Sequence, residues 1–79
     1  MRLVIAKLDH VYFDGEAKSV TAPGSDGVLT VLTEHEPLIT TLQPGVVTVR
    51  AEALPDGEQF FEISGGILEV RRDGATIIL

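Results

Sequence analysis

The sequence predicts an all-β fold, a flattened sandwich or barrel of about ten short, mainly antiparallel strands. Three observations carry this. Apolar residues alternate with a period of two rather than recurring every three or four positions. Asp-Gly occurs four times, at Asp14-Gly15, Asp26-Gly27, Asp56-Gly57 and Asp73-Gly74, and this pair suits tight turns that match strand twist. No segment carries an amphipathic stripe long enough to suggest a long helix.

The elements follow in order. Residues 3–8, 11–13, 16–22 and 28–33 are the first apolar, β-branched runs, separated by turn signals. Pro37-Leu38-Ile39 is a proline-bounded apolar run that can line a partner groove or enter the core, the core being favoured because most large aliphatics are buried. In residues 46–53, Val47, Val49, Ala51 and Ala53 share one face, and Thr48, Arg50 and Glu52 share the other. In residues 59–63, Phe61 and Ile63 lie opposite Glu58, Phe60 and Glu62. Residues 67–72 and 75–79 complete the set. Two hairpins are expected, 46–54 with 58–63 across Pro55-Asp56-Gly57, and 67–71 with 75–79 across Asp73-Gly74.

The 79 residues form a single domain, 1–79, with no linker, repeat or low-complexity tract. A chain of this size buries only about 60% of its unfolded surface, so its own stability is modest. Cysteine is absent, which excludes disulfides and thiolate metal sites and leaves a partner surface as the compensation. Twelve acidic residues against six basic give a net charge of −6. That excludes a basic nucleic-acid footprint and docking on anionic lipid. No apolar run approaches the ~20 residues of a membrane span, nor a signal-peptide core, so the default compartment is cytoplasmic.

The motifs read as architecture. There is no Asp-x-Asp-x-Asp string for calcium, and His10 and His35 stand too far apart for a metal pair. No catalytic residue, cofactor or metal is therefore expected. Glu34-His35-Glu36 would point its carboxylates away from the histidine on a strand, and the absence of a nearby nucleophile favours a loop or interface role over catalysis. Ser64-Gly65-Gly66 fits neither a phosphate loop nor a nucleophile elbow, and marks a bend or close backbone approach. Phe60, opposite the apolar face of its strand, is either an exposed aromatic or part of an interface.

Taken together, these pieces resemble a known family. The run Pro23-Gly24-Ser25-Asp26-Gly27, Val31, His35-Glu36-Pro37-Leu38, then Leu42 and Pro44-Gly45, is similar to the N-terminal β-sandwich domain of the epsilon subunit of F-type ATP synthase. So is Ser64-Gly65-Gly66-Ile67-Leu68-Glu69-Val70. The resemblance implies a non-catalytic central-stalk subunit that couples gamma to the membrane c-ring for proton-driven ATP synthesis. It implies a peripheral position on the cytoplasmic face, and a monomer when isolated. It directs Ser25, Asp26, Gly27 and Val28 toward the ring, with Glu34 and His35 nearby and Phe60 as a further interface candidate. Glu34 replaces a frequent glycine, and Val28 stands where some members have a carboxylate. The helical hairpin that often follows is absent from these 79 residues, so the implied role is coupling without that regulator. The alternative is a free-standing acidic β-sandwich that binds a small ligand.

Overall fold

The structure is a computed structural model that describes residues 1–33 and 36–79. Among the described residues there are nine strands: β1 (Arg2–Lys7), β2 (His10–Glu16), β3 (Ser19–Gly24), β4 (Gly27–Leu32), β5 (Leu38–Leu42), β6 (Gly45–Arg50), β7 (Glu58–Ile63), β8 (Gly66–Arg71) and β9 (Gly74–Ile78). One 3-10 turn, Pro55–Gly57, precedes β7. The all-β expectation holds, with nine strands in place of about ten.

All nine belong to one sheet ordered β2-β1-β9-β8-β5-β3-β6-β7, with β4 on the other edge of β3. Strand β3 is the junction. Its first residues, Ser19 to Thr21, pair with Arg50 to Thr48 of β6, whereas Gly24 pairs with Leu42 of β5. Two arms result, β2-β1-β9-β8-β5 and β4-β3-β6-β7, curled around a common core. Leu3, Ile5, Leu68 and Ile77 enter it from the first arm, and Val20, Val31, Val47 and Val49 from the second. Period-two alternation explains this membership, because every second side chain of each strand turns inward.

Among the described residues all pairings but one are antiparallel. Strand β1 pairs in parallel with β9, from Arg2↔Gly74 to Ala6↔Ile78. The close approach depends on Gly74, where a Cβ would collide with the Arg2 carbonyl oxygen.

Some expectations need correction. Asp14-Gly15 is no turn: both residues lie in β2, opposite Val4 and Leu3, and the reversal occurs at Leu8-Asp9. The other three Asp-Gly pairs do mark reversals. Asp56 (φ 57°) and Gly57 (φ 77°) take the left-handed conformations expected of a tight turn. The 46–53 run ends as a strand at Arg50, leaving Ala53 exposed instead of inward. Of Pro37-Leu38-Ile39, Leu38 alone packs against the core, whereas Pro37 is exposed and Ile39 points outward on β5. The bend at Ser64-Gly65-Gly66 is as expected: Gly66 has φ +148°, and a Cβ there would lie 2.6 Å from the Ile78 carbonyl oxygen.

Candidate functional site

The pairings sort the connections to two ends. At one end, Lys7 faces His10, Leu42 faces Gly66, Gly24 faces Gly27, and Gly45 faces Ile63. The turns Leu8-Asp9, Ser25-Asp26, Gln43-Pro44 and Ser64-Gly65 therefore cluster there. Leu8 is wholly exposed, and Asp9 and Asp26 are exposed carboxylates. Neither carboxylate has an ion pair among the described residues. This end offers negative charge and apolar tips together.

The Ser25-Asp26 turn is held firmly. Ser25 N–H donates to the Thr41 carbonyl (3.0 Å), and the Ser25 hydroxyl donates to the same oxygen (3.1 Å). The Thr41 and Ser25 hydroxyls lie 2.5 Å apart. Gln43 donates from its backbone to Pro23 O (2.9 Å) and from its amide side chain to Gly24 O (3.1 Å). These bonds tie the turn to the corner between β5 and β6, so Asp26 projects from a fixed base. The serine hydroxyl is spent on this anchorage, and its partners among the described residues are the Thr41 carbonyl and hydroxyl, neither of them a base. The chemistry on offer is contact and charge, not nucleophilic attack.

Phe60 and Val28 share a face. On the β4-β3-β6-β7 arm the outward row runs Thr30, Thr21, Thr48, Phe60, each directly opposite the next. The Thr21 and Thr30 hydroxyls are 3.0 Å apart. Val28 and Leu32 flank Thr30 on the same side, and Phe60 is 62% exposed. The sequence placed Phe60 correctly by parity. It did not reveal that Val28, three strands away in this sheet, opens onto the same surface.

Glu34 and His35 lie outside the described residues. Their flanking neighbours, Thr33 and Glu36, follow Leu32 and precede Leu38, which sit at the end opposite Ser25–Gly27. Strand β4 alone separates the two ends by about 17 Å.

The first arm carries a surface that parity reasoning missed. Val11 faces Ala6, Ala6 faces Ile78, Ile78 faces Ile67 and Ile67 faces Thr41, all on the outer side. Val11, Ile78 and Ile67 are exposed large hydrophobics. The doublets Ile67-Leu68 and Ile77-Ile78 were the available signal, since an apolar residue on both faces means that the outer face is also apolar.

Comparison with known proteins identifies the arrangement. The family model for the ATP synthase, Delta/Epsilon chain, beta-sandwich domain matches residues 1–79. The chain belongs to this family. An ATP synthase epsilon chain of Herminiimonas arsenicoxydans is 38% identical over 78 residues, covering 99% of this chain and 55% of the relative. The ATP synthase epsilon chain 2 of Burkholderia orbicola (strain AU 1054) is 42% identical over 79 residues, covering 99% and 51%. The chain thus spans about half the length of these curated members of the delta/epsilon family. Among solved structures, a chain of the Euglena gracilis mitochondrial ATP synthase, determined as OSCP/F1/c-ring in rotational state 1, superposes with a TM-score of 0.84. It is 26% identical, with 96% of this chain and 48% of that one covered. A chain of the Tetrahymena thermophila central stalk/c-ring structure shares the fold, with a TM-score of 0.78 at 18% identity over 98% of this chain and 60% of that one. Among the described residues no helix is long and apolar enough to cross a membrane.

Proposed function

We propose that the chain is a non-catalytic rotor subunit of an F-type ATP synthase, coupling gamma to the c-ring from the cytoplasmic face of the membrane. The observation that carries this reading is the family match over all 79 residues. Two separate surfaces support it. The turn-bearing end, with Asp26 on an anchored base, suits the polar loops of a ring. The outer row Ala6, Ile78, Ile67 suits packing against a protein stalk.

The test is reconstitution. Added to ATP synthase depleted of epsilon, the chain should co-purify with gamma and restore ATP-driven proton pumping. Asp26→Lys should leave the fold intact and weaken coupling by several-fold, because a rim charge sets register and association rate and is worth on the order of 1 kcal/mol. Failure of the parent chain to bind gamma would overturn the reading. Normal coupling in Asp26→Lys would remove the turn from the interface.

A further inference from the structure

We propose that the free edge of β7 is a docking site for an extended, basic segment of a partner polypeptide, which adds to the sheet as an antiparallel strand. This goes beyond the coupling role and stands independently of it.

The backbone phase comes first. Ala51 N–H donates to Gly57 O at 3.0 Å, and Lys18 N–H donates to Arg50 O at 2.7 Å. Residue 51 therefore bonds toward β7, whereas Arg50 turns its backbone toward β3. Antiparallel pairs alternate between bonded and non-bonded, so Gln59, Phe61 and Ile63 bond to β6. The N–H and C=O groups of Glu58, Phe60 and Glu62 point the other way, to the open edge. Among the described residues no strand pairs with that edge.

The same three residues put their side chains on the outer face, as a Glu-Phe-Glu row. A strand added antiparallel would place its own residues directly opposite, about 5.5 Å away between Cα atoms. Lysine or arginine at the two outer positions would meet Glu58 and Glu62, and an apolar residue between them would cover Phe60. Glu62 has no ion pair among the described residues, and Glu58 has only Arg50 at 3.6 Å. The edge thus has the charge, the anchor and the backbone groups that strand addition uses.

Space and selectivity agree. A cleft of about 370 Å³ lies along this edge, lined by Tyr12 of β2, Phe60 to Ile63 of β7, and Lys7. A second copy of the chain is the wrong occupant. Antiparallel self-pairing centred on Phe60 sets Glu58 against Glu62, and directly opposed like charges are unfavourable. Of the other edge strands, β4 has the outward residues Val28, Thr30 and Leu32, without charge, and the exposed carboxylates of β2 are already paired, Asp14 with Arg2 and Glu16 with the amino-terminal ammonium.

The test uses the ¹⁵N-labelled 79-residue chain and the capped peptide Thr-Lys-Thr-Val-Thr-Lys-Thr. Binding should slow amide exchange at Glu58, Phe60 and Glu62. Affinity should fall at least about tenfold in Glu62→Lys and at high salt, as for an exposed charge-guided contact. A peptide N-methylated at its lysines and valine should not bind, and Phe60→Thr, which keeps a strand-forming residue, should weaken binding. Equal binding of a peptide with glutamate for lysine would overturn the proposal. So would protection elsewhere, no protection at millimolar peptide, or dimerisation of the chain in its place.

Discussion

Gly66 and Gly27 both take positive φ, at +148° and +125°, yet their surroundings differ. A Cβ at Gly27 would meet nothing within 4 Å, whereas one at Gly66 would run into the Ile78 carbonyl. Alanine at Gly27 should therefore cost backbone strain alone, about 1 kcal/mol, and alanine at Gly66 strain plus displacement of β9, about 3 kcal/mol. Urea denaturation of both variants checks this, and equal midpoints would contradict it. Sequence reasoning identified Gly66 as a bend because two glycines together in a strand-rich run have few other uses. It misread Asp14-Gly15 for a physical reason: Asp-Gly permits a turn without requiring one. The neighbouring strand supplied pairing partners for both residues, and a ladder of hydrogen bonds outweighed local turn preference. Asp26 was legible as exposed, but its anchorage through Thr41 and Gln43 joins residues 16 and 19 positions apart and no local pattern encodes it.

Strand β9 shows how one element serves two purposes. Ile77 faces the core with no exposure, and Ile78 faces outward at 55%. Ile77→Ala should destabilise the domain by about 2–5 kcal/mol through the cavity it leaves. Ile78→Thr should change stability by no more than about 0.5 kcal/mol. In the coupling role, it should still weaken co-purification with gamma about tenfold, the usual scale for an interface anchor. Loss of stability in Ile78→Thr, or unchanged association, would count against the outer row as a contact. Inward parity was legible where a single face is apolar, as at Val47 and Val49 of β6 and Ile63 of β7, since period two then leaves one reading, but not at Ile39 or Ala53. The outer row was not, because it exists only once β2, β1, β9 and β8 lie side by side, and that order departs from the order in the chain.

At the scale of the whole molecule, the surface ion pairs contribute little. Lys18 with Glu52 and Arg71 with Asp73 are exposed pairs of the kind worth less than about 1 kcal/mol. Stability rests on a core built from both arms. The hairpin β1-β2 joins that core's sheet through β9. Deleting residues 74–79 should therefore abolish cooperative unfolding altogether, with no partly folded remnant, as circular dichroism during a thermal ramp would reveal. A sharp transition in the truncated chain would mean that β1-β2 docks by another route.

The parallel pairing of β1 with β9 also sets a timetable. During synthesis the β1-β2 hairpin leaves the ribosome well before β9 and has no neighbouring strand until residues 74–78 have been made. Its edge must wait, uncovered, for β9. Long-range closure of this kind slows folding and leaves a nascent chain open to wrong pairings. Translation speed and chaperone access should influence the yield of this small domain more than its size suggests.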